Sequence, residues 1–337
     1  MRDPVADLRR IAWLLERAQK GTYQPRAYRA AAHALEGLSG TEIRDRDKAN
    51  TLTELEGVGS STATVVAESL AGVIPARLAE TEAIPQPETT PAGRALRAEL
   101  KGDLHLHSDW SDGHGTIEEM VAALRELGHE YAALTDHSPR LRVARGLSGD
   151  RLRAQIDLIA ELNERVAPFR LLTAIEVDIL EDGKLDQSKE LLDRLDLVVA
   201  SVHSKLRMGS DDMTRRMITA VANPNVDVLG HCTGRRTMGE RQRPPSSFDA
   251  DMVFAACERF GVAVEINSQP ARSDPPEPLL ELAIDYGCRV SIDTDAHSPG
   301  ELDWQRRGAE KAAACGVPAD RIVNTWSLSR LRDWTGR

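Results

Sequence analysis

Seven short β-rich runs alternate with amphipathic helical stretches from Lys101 onward, and no other feature of the sequence constrains the fold as much. The runs are GDLHLH, YAALTDH, RLLTAIEVDI, LDLVVASVH, VDVLGH, VAVEIN and CRVSIDTDAH. Strands that alternate with helices are typical of βα units and a parallel sheet. Because no glycine-rich nucleotide fingerprint accompanies them, the pattern favours a barrel over an open doubly wound sheet.

The beginning of the chain has a different pattern, with apolar residues at helical spacing among many Ala, Leu, Arg and Glu. We predict a small all-helical domain over residues 1–75. Residues 76–98 combine Pro, Thr and Glu, which predicts a linker that ends in a short helix. The barrel then occupies residues 99–337, so the predicted fold class is α/β with a small N-terminal all-α domain.

Composition excludes few partners. The formal net charge of −10 argues against nucleic acid, but the charges of residues 1–75 balance, so the excess of carboxylates lies in the barrel. Divalent cations held there would offset it. The four cysteines lack metal or disulfide spacing and are expected to be reduced thiols. We expect a cytoplasmic protein, because neither a membrane span nor a secretion signal is visible.

Most of the β-rich runs end in histidine or carboxylate, and barrels of this type place functional groups at the carboxyl ends of their strands. His105 and His107 are two apart in the first run, so both imidazoles face the same side and could grip one metal ion. The other candidate ligands are Asp112, His137, Glu176, His203, His231, Asp295 and His297. Only VAVEIN ends without an obvious ligand.

Any one of these histidines alone is more commonly a structural residue. Six of the nine histidines occupy strand ends, however, and imidazole mixed with carboxylate is a ligand set for zinc, manganese or iron. Nine candidates exceed the need of one ion, so two or three ions are expected. The remaining histidines, His33, His114 and His129, are predicted to lie at the surface.

The motifs KGDLHLHSDWSDG, LTDHS, EVDIL, SVHS, GHCTGR, EINSQPAR and DTDAH resemble, in this order, the PHP domain of the polymerase and histidinol phosphatase superfamily. The resemblance is closest to the C-terminal PHP domain of bacterial family X DNA polymerases, and it implies a distorted (β/α)7 barrel with a trinuclear site. It assigns the first ion to His105, His107, Glu176 and Asp295, the second to Glu176, His203 and His231, and the third to Asp112, His137 and His297. Manganese is the expected ion, with zinc or iron as alternatives.

Paired metal ions suit phosphate ester hydrolysis, because they activate a water and stabilise the charge of the attacking and leaving oxygens. Glu176 and Asp295 are the catalytic candidates among the ligands. Arg235, Arg272 and Lys205 are candidates to hold phosphate oxygens, arginine being suited to this by its planar fork. Solvent exposure or a salt bridge is the alternative for each, and it is favoured for Lys205. Cys232 replaces the proline that is usual in the family, with little expected effect.

The segment LEGVGSSTATVVAESL has the hairpin of a helix-hairpin-helix motif. Its glycines allow a tight turn, after which the amides of the next helix could face a phosphate. The candidate DNA-contacting residues are Gly57, Val58, Gly59, Ser60, Ser61 and Thr62. A packing turn between two helices is the alternative. Together with QPRAYRAAAHALEGL, the segment resembles the N-terminal helical domain of family X polymerases, which grips DNA ends.

Two departures from that family limit the activity. Some members form a Schiff base with a lysine soon after the hairpin, where this chain has Val65, so no lyase activity is expected. About thirty residues separate the hairpin from the barrel, too few for a palm domain, so no polymerase activity is expected.

Three functions remain open. A 3′ to 5′ exonuclease or 3′-phosphatase in DNA repair accounts for both domains and makes DNA ends the partner. A small-molecule phosphatase resembling histidinol phosphate phosphatase leaves the helical domain unexplained. A DNA-end binding module with an inactive barrel is disfavoured by the full ligand set. In each case we expect a monomer with no nucleotide cofactor and no membrane partner.

Overall fold

A computed structural model of the chain describes residues 2–21, 23–239 and 242–336. Contacts divide the chain into two compact units. The first unit comprises Met1–Glu88 with Pro299–Glu301, and the second comprises Thr89–Ser298 with Leu302–Arg337. No helix in the described ranges combines the length and apolar character needed to cross a membrane. All the cysteines are free thiols.

The first unit is helical, as the apolar spacing predicts. Its helices are α1 (Pro4–Arg17), α2 (Tyr23–Glu36), α3 (Gly40–Ala49), α4 (Ser60–Leu70) and α5 (Ala76–Glu82). The side chain of Asp3 caps α1, and Ser39 with Glu42 forms a capping box at the start of α3. Leu8, Leu35 and Val66 are fully buried in the core that these helices share.

The segment predicted as a linker ends in a short helix as expected, but its first part is also helical. Leu78 of α5 is 3% exposed and belongs to the core of the first unit. Helix α6 (Pro91–Glu99) begins at a Thr90 cap and buries Leu96 in the second unit. The stretch between these helices is therefore short, and each helix is held by its apolar side chains.

The second unit alternates strands and helices. The strands are β1 (Gly102–Leu106), β2 (Tyr131–Leu134), β3 (Arg170–Asp178), β4 (Leu197–Ser201), β5 (Val228–Leu229), β6 (Ala263–Asn267) and β7 (Val290–Asp293). The helices after α6 are α7 (Ile117–Glu126), α8 (Gly149–Val166), α9 (Lys189–Leu192), α10 (Ser210–Val221), α11 (Ala250–Phe260), α12 (Glu277–Asp285), α13 (Gln305–Ala314) and α14 (Leu328–Thr335).

The described strands form one parallel sheet in sequence order, from β1 to β7. The strands are almost wholly buried, which explains their continuous apolar runs. Helices such as α8 pack an apolar stripe against them, with Ile159 and Leu162 buried beside β2. The predicted seven-stranded βα barrel is confirmed.

The barrel closes where β1 meets β7, and we call this junction the seam. Asp295 N donates to His105 O at 2.8 Å, and His107 N donates to Ala296 O at 2.8 Å. Below them, the Asn324 side chain accepts from Ile292 N at 2.7 Å and donates to Gly102 O at 3.1 Å. The seam thus uses side chains and single backbone bonds in place of a regular ladder.

Candidate metal centre

Parallel strands in sequence order bring their carboxyl ends to one rim, and the predicted ligands meet there. Glu176 projects from β3 and His105 from β1, while the other ligands lie in the segments that directly follow strands. Each of the nine predicted ligands lies within 4 Å of another member of the set. Their grouping is a finding, while the ion assigned to each ligand stays a prediction.

Glu176 is the centre of the cluster. Its Oε1 lies 3.4 Å from His105 Nε2, 3.2 Å from His203 Nε2 and 2.9 Å from His231 Nε2. Its Oε2 lies 2.7 Å from His137 Nδ1 and 3.7 Å from His107 Nε2. The carboxylate therefore has imidazoles around both oxygens, which is the arrangement needed to share one ligand between two ions.

Asp112 organises a second group at the mouth of the barrel. Its Oδ1 lies 3.4 Å from both His137 Nε2 and His297 Nε2, and these atoms form a possible ion site together with His107. On the deeper side, His107 Nε2 lies 3.3 Å from Asp295 Oδ1. His107 and His137 thus stand between the two groups.

The donor set fits divalent metal ions. Buried ring nitrogens of His105, His107 and His203 lie close to the carboxylates but make no hydrogen bond of acceptable geometry among the described residues, and the same is true of Glu176 Oε2. Buried polar atoms are rarely left in this state, since each costs about 1–3 kcal/mol. The spacing also fits, because two ligands about 2.1 Å from a tetrahedral ion lie about 3.4 Å from each other.

Glu265 of β6 supports the ligands, and sequence reasoning missed it. Its Oε1 accepts from His105 Nδ1 at 2.6 Å, and its Oε2 accepts from the His231 backbone amide. This contact turns Nε2 of His105 toward Glu176. The signal was a carboxylate in the middle of the buried run VAVEIN, two residues before its end.

Asp178 has a similar role for the fourth strand. Its Oδ1 lies 3.4 Å from His203 Nδ1 and accepts from His203 N at 3.2 Å. The Nε2 atom of His203 then faces Glu176. Both buried carboxylates orient a predicted ligand from outside the cluster, as is usual for histidines that bind metal.

The cluster shifts the pKa values of its own members. Burial alone would raise the pKa of Glu176, but the surrounding histidines outweigh it and hold the pKa well below its ordinary value. Burial lowers the pKa of His107 to about 3, and the nearby His297 and His137 add to this. Glu176 and Asp178 have the opposite effect on His203, where they outweigh burial and raise the pKa to about 9. Glu176 and His107 therefore have the ionised carboxylate and the neutral imidazole that metal ligation requires, while His203 has to lose a proton to bind an ion.

The chain geometry at one ligand is strained. Asp295 has a φ of +52°, an uncommon backbone conformation for a residue with a side chain. Asp295 lies two residues after the end of β7, where the chain turns to form the seam. Strain of this kind concentrates at functional sites, where the surrounding structure enforces it.

The three predicted phosphate-contacting residues differ in position. Arg272 Nε donates to Asp295 Oδ2 at 2.8 Å, and the side chain is largely buried at the cluster. Arg235 Nε donates to Arg272 O at 3.0 Å, so its guanidinium braces the loop that carries Arg272. Lys205 is exposed. The salt-bridge alternative therefore describes Arg272, and a phosphate contact by any of the three stays a prediction.

The predicted hairpin lies in the first unit between α3 and α4. Gly57 has a φ of +87°, and a Cβ there would lie 3.1 Å from Ala30 O. Val58 is buried, whereas Ser60 and Ser61 are exposed. The buried Thr62 hydroxyl accepts from Gly59 N at 2.9 Å and donates to Gly59 O at 3.0 Å. Its side chain is thereby committed to the turn.

One of the histidines predicted at the surface is buried. His129 is 5% exposed, and its Nε2 lies 3.3 Å from Arg97 Nη2. The surface prediction was wrong because His129 follows the end of α7, where the chain turns inward to enter β2. His33 is exposed as predicted.

A parallel barrel whose rim gathers imidazoles and carboxylates suitable for several metal ions defines a hydrolase of phosphate esters. Residues 103–269 match the PHP domain family. Residues 103–269 therefore form a PHP domain, as the motifs predicted, while the resemblance of the first unit to the helical domain of family X polymerases stays a prediction.

Curated relatives include the DNA polymerase/3′-5′ exonuclease PolX of Bacillus subtilis (strain 168), which is 38% identical over 239 residues. The match covers 71% of this chain and 41% of PolX, so this chain spans about two fifths of that protein. A probable phosphatase of Thermoanaerobacter sp. (strain X514) is 27% identical over 244 residues, which cover 69% of this chain and 93% of the relative.

Among solved structures, histidinol phosphate phosphatase from Lactococcus lactis subsp. lactis Il1403, complexed with zinc, L-histidinol and phosphate, is similar with a TM-score of 0.49 and 20% identity. The similarity covers 64% of this chain and 92% of that one.

Proposed function

We propose that this chain hydrolyses phosphate esters at DNA ends, as a 3′ to 5′ exonuclease or a 3′-phosphatase in DNA repair. One observation carries the proposal, namely that a helical unit with a glycine hairpin shares the chain with a barrel that gathers nine candidate metal ligands. The similarity to a polymerase and exonuclease also supports DNA as the substrate.

The candidate ligands and Arg272 would have separate roles in this reaction. Glu176 would be shared between two ions, with His105, His107 and Asp295 on one side and His203 and His231 on the other. Asp112, His137 and His297 would hold a third. Bound divalent ions supply an activated hydroxide and positive charge for the phosphate oxygens. Arg272 holds Asp295 in place through its 2.8 Å hydrogen bond and brings a guanidinium next to the cluster.

Manganese is the ion that we propose. The cluster mixes imidazole with carboxylate and contains no cysteine among its described members, a set that also accepts zinc or iron. Loading the metal-free protein with each ion and comparing phosphate ester hydrolysis would decide among them.

The proposal includes neither polymerase nor lyase activity. Val65, at the position of the lyase lysine, is 2% exposed in the core of the first unit. An apolar side chain there supplies no amine, and its burial would separate any replacement from a DNA end.

A small-molecule phosphatase is the second candidate. The similarity to the probable phosphatase covers 93% of that relative and 69% of this chain. This function would leave the hairpin of the first unit without a role.

End-labelled single-stranded DNA incubated with the protein and Mn²⁺ tests the first candidate. We expect wild type to release labelled products, Asp295→Ala to lose activity by more than about a hundredfold, and Asp285→Ala, on the exposed side of α12, to retain it. Intact DNA in all three samples, together with no release of phosphate from the same strand carrying a 3′-phosphate, would overturn the proposal. Hydrolysis of phosphorylated metabolites by the same wild-type sample would then favour the second candidate.

A further inference from the structure

A cavity of about 670 Å³ opens beside His203 at the rim of the barrel. The segments that follow β2, β3 and β4 provide its walls. The side chains that matter here are Arg140, Leu141, Arg142, Asp178, Leu180 and His203. Because His203 lines the cavity and its Nε2 lies 3.2 Å from Glu176 Oε1, the cavity borders the metal centre.

The wall from β2 is a compact loop, residues 138–147, which we call the β2 loop. Leu147 N donates to His137 O at 2.7 Å, which closes the loop at its base beside a predicted metal ligand. A Cβ at Gly146 would lie 1.8 Å from Ser138 O, so only glycine permits this closure. The tip of the loop is therefore held in place by its base.

The tip presents a cation and an apolar side chain. Within the described ranges the Arg142 guanidinium has no hydrogen bond or ion pair, and the Val143 side chain beside it is 92% exposed. Arg140 is only loosely engaged, with its Nε 3.6 Å from Asp178 Oδ2. Two guanidinium groups thus border a cavity that leads to a phosphoesterase centre.

The carboxylates in the cavity wall already have partners. Asp186 accepts from Ser138 Oγ at 2.6 Å, from Arg140 N at 2.9 Å and from Asp178 N at 2.9 Å. Asp178 is engaged with His203 on one oxygen and lies near Arg140 with the other. These contacts offset the negative charge that would otherwise repel an anion.

We propose that this cavity binds the nucleotide adjacent to the scissile bond, with Arg142 on its phosphate and Leu141 and Leu180 against its sugar or base. The inference rests on the proposed DNA substrate. The volume of the cavity falls in the range of about 300–1,000 Å³ that is typical of ligand-binding pockets. The arginine fork matches a phosphate. An ester with one phosphate and no second nucleotide would leave the cavity empty.

The test compares two substrates in the presence of Mn²⁺, a single-stranded thymidine oligonucleotide and 4-nitrophenyl phosphate. The measured quantity is the ratio of kcat/KM for the oligonucleotide to kcat/KM for the aryl ester. We expect Arg142→Ala to lower this ratio about tenfold, because one charge-assisted hydrogen bond to phosphate is lost. Arg142→Lys should lose less, since the charge remains.

Arg165→Ala is the matched control. Arg165 lies in the last turn of α8, at the opposite end of the barrel, and its side chain is 65% exposed. If wild type cleaves the oligonucleotide and Arg142→Ala keeps the ratio within about twofold, this inference alone is overturned. If wild type hydrolyses the aryl ester but neither cleaves the oligonucleotide nor removes a 3′-phosphate from it, both this inference and the proposed function are overturned.

Discussion

At the scale of single residues, the fully buried Glu265 holds His105 and the amide of His231 without lying among the candidate metal ligands. We expect Glu265→Gln to weaken metal binding about 10- to 100-fold, because the amide would favour a different orientation of the imidazole. Calorimetric titration of the metal-free protein with Mn²⁺ measures this directly.

Glu258→Gln provides the control, since Glu258 is exposed on α11. An unchanged Mn²⁺ affinity in Glu265→Gln would show that the carboxylate does not position His105. A loss of affinity equal in both variants would point to a general effect of removing charge.

His129 makes stability depend on pH. Burial and the nearby Arg97 lower its pKa to about 3, against 6.5 for an unperturbed histidine. Between these values the unfolded chain binds a proton that the folded chain does not, so stability is present above pH 6.5 and is lost as the pH falls. The loss attributable to His129 at about pH 5 is about 2 kcal/mol.

Urea unfolding at about pH 7.5 and about pH 5 measures this loss. We expect His129→Gln to lose less free energy of unfolding between the two pH values than wild type. His33→Gln, which replaces a side chain that is 90% exposed, should match wild type. Equal losses in all three proteins would contradict the prediction.

Sequence patterns located the cluster of candidate ligands because these residues end strands, and the end of a strand is visible as a change in periodicity. The supporting residues were harder to find. Glu265 contacts the side chain of His105, and Asp178 accepts from the backbone amide of His203. Both contacts join different strands, and a single sequence does not record which strands are neighbours in space. His129 was misplaced for the same reason, since its burial depends on Arg97 and β2.

At the scale of elements, the hairpin between α3 and α4 depends on Gly57. We expect Gly57→Ala to destabilise the first unit by about 1–3 kcal/mol, because the positive φ and the approach to Ala30 both oppose a Cβ. Hydrogen exchange of peptides from residues 2–88 in the full chain would show faster exchange around the turn.

Gly59→Ala is the matched control in the same turn. Gly59 has a φ of −97°, and no atom lies within 4 Å of a Cβ built there. We expect a smaller increase in exchange than for Gly57→Ala. Similar effects of the two substitutions would mean that the turn does not depend on the conformation of Gly57.

Element boundaries show where sequence patterns stop being informative. The Pro and Thr content of residues 76–98 predicted a linker with one short helix at its end, which is α6, yet α5 also forms there because Leu78 enters the core of the first unit. Propensity describes a segment in isolation, whereas tertiary packing decides whether a short helix persists.

At the scale of the whole molecule, the division into two units makes it possible to test the proposed binding of DNA ends separately from phosphate ester hydrolysis. Removing residues 1–88 leaves α6 with the second unit, to which it belongs. We expect the shortened protein to keep hydrolysis of 4-nitrophenyl phosphate and to lose much of its cleavage of DNA ends, because the hairpin would be absent. Steady-state kinetics with both substrates measures the two effects.

Circular dichroism of the shortened protein would first establish that the barrel is folded. Unchanged DNA cleavage would remove the first unit from the proposed function. Equal loss on both substrates would mean that the barrel needs the first unit for its own structure.

The barrel itself was predictable because the strands are short and mostly apolar and alternate with amphipathic helices. The closure was not, since the contacts between β1 and β7 come from Asn324 and from single backbone bonds at His105 and Asp295. Such contacts leave no periodic trace in a sequence.

The seam has a consequence for the life of the protein in a cell. Three of the residues that join the first strand to the last, His105, His107 and Asp295, are also candidate metal ligands, so an ion bound there would help to hold the barrel closed. We expect the metal-free protein to open first at the seam and to be cleaved by proteases as a result. The abundance of the enzyme would then follow the supply of its metal, without a dedicated sensor.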